Sequence, residues 1–120
     1  MYGQGKTRGQ IGMLGIEATT NQACGVIPPS EKINFNFLFE LLQMNYEDLR
    51  SLGRGGNQPN LNSGIIKNYE VINPPLILQN QFAERVQAIA AQKVQAQSSL
   101  AQAEDLFNSL LQKAFKGELA

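Results

Sequence analysis

The 120-residue sequence contains no histidine and a single cysteine, Cys24. With no imidazole and one thiol, a zinc centre or a thiol–imidazole catalytic pair has few available ligands, so no metal is expected. An intrachain disulfide is impossible, which predicts a reducing compartment. Neither sign of charge is in excess, with ten Lys plus Arg against ten Asp plus Glu, so bulk charge argues neither for nor against nucleic acid. The chain also lacks a run of the ~18 apolar residues that a membrane span needs. Its first ten residues, MYGQGKTRGQ, lack the hydrophobic stretch of a signal peptide, and a soluble, cytoplasmic protein is expected.

What the chain does have is one long amphipathic pattern, from Leu76 to Phe115, introduced by Pro74-Pro75 and closed by Gly117. At about 1.5 Å per residue such a helix extends roughly 60 Å, far beyond the width of a small domain. Phe82, Val86, Ile89, Lys93, Ala96, Leu100, Ala103, Phe107, Leu110 and Ala114 fall on alternating four- and three-residue steps, the spacing of a coiled-coil seam. Lys93 is its one charged member, and Leu106, Leu111 and Phe115 widen the apolar face near the end. The expectation is a spacer that pairs with another helix, most simply a second copy. The alternative is a helix folded back on its own domain, which requires a body of about eighty residues to cover the whole seam.

The body reads as α/β, more strictly α+β. Ile11–Ile16 and Ala23–Ile27 are short apolar runs consistent with strands, and Ile65–Ile72 is a third. Asn34 or Asn36 can cap a helix running to about Leu49, because Phe35, Leu38, Phe39, Leu42 and Tyr46 recur at helical spacing, with Gly53 as its stop. The expected division is 1–73 for the body and 74–120 for the helix.

Two polar loops carry the candidate chemistry. Gly3-Gln4-Gly5-Lys6-Thr7-Arg8-Gly9 contains a glycine–lysine–threonine step, but its spacing departs from that of a nucleotide phosphate loop. Polynucleotide phosphate stays open as a ligand: Lys6 and Arg8 can neutralise backbone phosphates, and Thr7 and Gln10 can donate or accept at base edges. The second loop sets Arg54 beside the amides Asn57, Gln58 and Asn60, side chains that read purines in the major groove and that also simply make turns. Lys6 and Arg8 are the only charges between Met1 and Ile16, and Arg50, Arg54 and Lys67 the only ones between Leu49 and Tyr69. Two acid-free basic stretches can therefore converge on one face. Asn73-Pro74-Pro75-Leu76 matches the catalytic motif of amino-methyltransferases except at its last position, where leucine cannot stack on a flipped base. Two prolines ahead of a helix have a simpler use, in fixing the first turn.

The order YGQGKTRGQ, ATTNQACGVIPP, LRSLGRGGNQPNLN, NPPLILQNQFAERV and LFNSLLQKAFKGEL closely resembles the specificity subunit of type I restriction-modification systems, over essentially the whole chain. In that family a target recognition domain is followed by a long helix, and two such units occur in tandem. The paired helices space the recognition domains on DNA and dock the methyltransferase subunits. The resemblance implies a non-catalytic component that recognises double-stranded DNA and positions methyltransferase and restriction subunits, here as the later part of one recognition domain plus one spacer helix. S-adenosylmethionine and ATP then belong to the partners, and no cofactor is expected here. A coiled-coil adaptor making only protein contacts is the alternative, and neutral net charge suits it.

Overall fold

The computed structural model describes residues 1–52 and 61–117. Among the described residues four α-helices follow a 3-10 turn at Gly5–Thr7: α1 (Phe35–Met44), α2 (Tyr46–Leu52), α3 (Ser63–Lys67) and α4 (Leu76–Phe115). The chain divides into two compact units, residues 1–83 and 84–120.

The α+β expectation is overturned, because no strand or sheet forms among the described residues. The only β pairing there is one isolated antiparallel bridge between Tyr2 and Cys24. Ile11–Ile16 makes no ladder, and its Met13, Leu14 and Ile16 side chains stay exposed. A strand needs a neighbour to satisfy its backbone, and an apolar run with glycine at positions 12 and 15 carries no local substitute. Ala23–Ile27 comes nearest to pairing: the Gly3 N–H donates to the Ala23 carbonyl at 2.9 Å and the Gly25 N–H to the Met1 carbonyl at 2.7 Å. Ile65–Ile72 fails for a different reason. Asn62 accepts from the Ile65 N–H at 2.8 Å, and this N-cap commits Ile65 and Ile66 to α3 despite their β-branched side chains.

The expected helix cap at Asn34 is present, with its side-chain oxygen accepting from the Phe37 N–H at 3.1 Å. The expected single helix is instead two. Asn45 closes α1 at φ −90°, ψ 18°, its N–H bonded to the Leu41 and Gln43 carbonyls, and its own carbonyl accepts from the Leu49 N–H to begin α2.

The core is as small as the length of the body allows. Leu38, Leu42 and Leu49 form its centre, with Met1, Ile11, Ile33, Phe35, Tyr69 and Val71 packed around them. The opposite side of α1 is buried too. Phe37 meets Phe82 of α4 edge to face, with ring centroids 5.7 Å apart, an arrangement worth about 0.5–1.5 kcal/mol beyond the area it buries. Leu61 is tied to the N-terminal segment by its N–H, which donates to the Gly3 carbonyl at 2.7 Å.

A Cβ added at Gly3 would collide with the carbonyl oxygen of Leu61. Because backbone rather than a flexible side chain stands in the way, Gly3→Ala should destabilise the body by about 2–3 kcal/mol. Gly15→Ala meets nothing within 4 Å and should stay within about 0.5 kcal/mol of the parent. Thermal melts of the two variants side by side check this pair.

Helix α4 runs over the span its periodicity predicts. Pro75 accepts from the N–H groups of Leu78 and Gln79 in its first turn, and Gly117, at φ 71°, donates to the Ala114 carbonyl at its end. Left-handed glycine is the usual way to stop a helix. Only Gln79 and Ala83 of α4 are buried, both within residues 1–83. From Gln87 to Gly117 its side chains are exposed. No described helix is long and apolar enough to cross a membrane.

Candidate nucleic-acid interface

The glycine-rich loop is closed at its base by two backbone bonds, Tyr2 N–H to the Gln10 carbonyl and Gly9 N–H to the Tyr2 carbonyl, both at 2.9 Å. Within it the Arg8 N–H reaches the Gly5 carbonyl at 3.3 Å and the Gln10 N–H the Thr7 carbonyl at 3.0 Å. Gly5 and Gly9 adopt φ values of 67° and 87°, the left-handed region where a Cβ is strained. Glycine is thus required at both ends of the Lys6–Arg8 step for the chain to turn so tightly.

Arg50, on α2, seizes this loop from outside. Its Nη1 donates to the Lys6 carbonyl at 2.7 Å, the Arg8 carbonyl at 3.0 Å and the Tyr46 hydroxyl at 3.2 Å. The guanidinium also lies over the Tyr46 ring, 6.0 Å from its centroid. Arg8 answers in the other direction, its Nε donating to the Arg50 carbonyl at 3.1 Å. The two arginines are interlocked through each other's main chain, a cyclic arrangement that neutral carbonyls make tolerable for like charges.

Of the candidates from the first loop, Lys6, Thr7 and Gln10 are exposed. Arg8 is not, at 7% exposure; the structure spends its Nε on the loop's own anchorage. Arg54, Asn57, Gln58 and Asn60 lie outside the described residues. Of the second acid-free stretch, Arg50 is the member found against Lys6 and Arg8. In the sequence Arg50 is simply one of three charges in an acid-free stretch. The signal for its role was Tyr46, four residues earlier and therefore on the same helical face.

The second overlooked residue is Gln79. It is 1% exposed, and each of its polar atoms is engaged. Its amide nitrogen donates to Asn73 Oδ1 at 3.0 Å and to the Pro74 carbonyl at 2.8 Å. Its oxygen accepts from the Asn34 N–H at 2.8 Å. The Asn34 amide in turn donates to Asn80 Oδ1 at 2.9 Å. The asparagine and first proline of Asn73-Pro74-Pro75-Leu76 are therefore bound to α4's own glutamine, and through it the start of α4 is fastened to the N-terminus of α1.

Of the seam residues, Phe82 packs against Phe37 and remains 43% exposed. Val86 is half-buried. Ile89, Lys93, Ala96, Leu100, Ala103, Phe107, Leu110 and Ala114 are exposed, as are Leu106, Leu111 and Phe115 beside them.

No solved structure matches the chain. The family model of the type I restriction modification DNA specificity domain matches residues 1–102, which takes in the glycine-rich loop, the arginine interlock, the Gln79 junction and the first part of the seam. The chain belongs to the family of type I restriction modification DNA specificity domains.

Proposed function

We propose that the chain is a non-catalytic DNA-recognition component of a type I restriction-modification complex, and that it meets duplex DNA through the Lys6–Gln10 loop. The observation that carries this is the loop itself: within a DNA specificity domain, it sets one exposed lysine beside exposed Thr7 and Gln10 on a backbone fixed at two left-handed glycines. Lys6 supplies a phosphate contact, while Thr7 and Gln10 carry the donors and acceptors that base edges require. Arg8 acts chiefly from within, through the interlock with Arg50. Arg54, Asn57, Gln58 and Asn60 are the second set of DNA candidates, on their chemistry alone.

The α4 seam serves assembly. In this reading it pairs with a second helix, a copy of itself when the chain is alone, and the paired helices hold methyltransferase and restriction subunits in place on the DNA. The methyl donor and ATP are bound by those partners. Residues 1–73 are the recognition portion and 74–120 the spacer.

A surface with few phosphate contacts binds duplex DNA non-specifically, with dissociation constants of about 10⁻⁴ to 10⁻⁶ M at physiological salt and steep salt dependence. Fluorescence anisotropy of a labelled duplex at two salt concentrations tests the reading. Lys6→Ala should weaken all sequences alike and lower the salt slope by roughly one. Undetectable binding of the wild-type chain at low salt would return the loop to a purely structural turn and favour an adaptor that makes only protein contacts.

A further inference from the structure

We propose that Arg50 is the positioning residue of the DNA-contacting loop, acting on DNA through Lys6 rather than by touching phosphate. The inference rests on the reading of that loop as the contact surface. Its physical basis is the division of bonds around the turn. The loop's own backbone bonds engage the carbonyls of Tyr2, Gly5, Thr7 and Gln10. The carbonyls of Lys6 and Arg8 are taken by Arg50 at 2.7 and 3.0 Å. Without the Arg50 guanidinium the Lys6 and Arg8 carbonyls lose these bonds, and the step is left to its flanking turns and the Arg8 side chain, between two glycines that hinge readily.

Arginine is suited to this in a way that lysine is not. Nη1 has two hydrogens for three acceptors, the two carbonyls and the Tyr46 hydroxyl, so one hydrogen is shared; the planar guanidinium fixes these directions, where an ammonium turns freely on a flexible stem. Tyr46 supplies that orientation with its hydroxyl at 3.2 Å and its ring beneath the guanidinium. The loop also abuts α2 directly, since a Cβ at Gly9 would stand 3.3 Å from the Arg50 nitrogen. Loop and helix are thus in register at two independent points. Ordering Lys6 before DNA arrives removes an entropic cost from binding, which is how a residue that touches no DNA raises affinity.

Arg50→Lys isolates this role, because it keeps the charge and the helix propensity while losing the fork. The experiment is the duplex anisotropy titration at two salt concentrations on wild type, Lys6→Ala, Arg50→Lys and the double variant, with amide exchange measured on each protein. For Arg50→Lys, positioning predicts faster exchange at the Arg8 and Gln10 amides, unchanged protection at Leu38 and Leu42, and weakened DNA binding with a lower salt slope despite constant charge. The double variant should lose less than the product of the two single losses, as residues acting through one contact do. Tyr46→Phe, which removes only the hydroxyl that orients the guanidinium, should move affinity the same way by a smaller factor. An Arg50→Lys chain that keeps the wild-type slope, with losses that multiply in the double variant, would make Arg50 a direct phosphate contact and overturn the proposal. So would faster loop exchange with unaltered DNA affinity, which would leave Arg50 a structural clamp only. Both results differ from failure of the wild-type chain to bind DNA, which would overturn the proposed function and this inference with it.

Discussion

Gln79→Leu should cost the body about 3 kcal/mol, the largest stability loss expected from any single exposed-looking position in the sequence. Leucine fills similar space but offers no hydrogen bonds. The Asn34 N–H and the Pro74 carbonyl, both of which Gln79 satisfies at 2.8 Å, would be stranded beside a buried side chain. Each such group costs roughly 1–3 kcal/mol. For a domain of this size that is a fall in Tm on the order of 10–20 °C. Urea denaturation followed by tyrosine fluorescence is a suitable measurement, since Tyr69 packs against the core. Asn80→Ala, which removes only an exposed acceptor for the Asn34 amide, should cost less than about 1 kcal/mol. A Gln79→Leu chain as stable as the parent would mean that the amide network is incidental.

Gln79→Glu sharpens the same argument through its pH dependence. An ionised carboxylate there would face the Asn73 and Pro74 oxygens to which Gln79 now donates. Burial and repulsion from these acceptor oxygens would raise its folded pKa above the ordinary glutamate value of about 4.3. A group raised in this way contributes its stability below the unfolded pKa and loses it as pH rises through the folded one. The variant should therefore be weakest at neutral pH and recover towards pH 4.

Leu100→Asp carries the largest expected effect on assembly. Leu100 is 59% exposed and sits near the middle of the 82–114 seam. If α4 pairs with a second copy, the wild-type chain should self-associate at tens of micromolar. An aspartate would bring an uncompensated charge into the pair from each chain, at several kcal/mol, enough to leave monomer. Antiparallel pairing is expected, because a parallel in-register pair sets Lys93 against Lys93, whereas an antiparallel one lets its charge escape along the helix side or meet Glu84 or Glu104. Sedimentation velocity decides this. A monomeric wild-type chain, or a Leu100→Asp chain that still dimerises, would remove the seam from the account.

The long helix was legible in the sequence because its pattern repeats without interruption and its ends carry their own punctuation, two prolines and a left-handed glycine. The Asn34 cap was legible for the same local reason. The supposed strands were not, because a strand is completed by a partner, and nothing within Ile11–Ile16 or Ile65–Ile72 announces whether one exists. At Ile65 a local signal, the Asn62 cap, outweighed β-branched propensity. The break at Asn45 is hidden in the sequence because apolar spacing continues through it into α2.

The loop was found from its glycines and its charges, yet the division of labour within it was not. Arg8 is turned inward by the carbonyl of Arg50, forty-two residues further along the chain. Gln79 looked like one more polar position on an amphipathic helix until Asn34, forty-five residues earlier, was seen to need its oxygen. In both cases a residue's role is set by a backbone group remote in sequence, and hydrophobic periodicity is blind to such partners.

Whether this specificity domain meets DNA through the Lys6–Gln10 loop is decided by titrating the ¹⁵N-labelled chain with duplex DNA at low salt and following its amide resonances. Shifts should concentrate at Lys6, Thr7, Arg8 and Gln10, with Arg50 moving alongside them, all diminishing as salt is raised. Shifts confined to α4, or none at low salt, would contradict it.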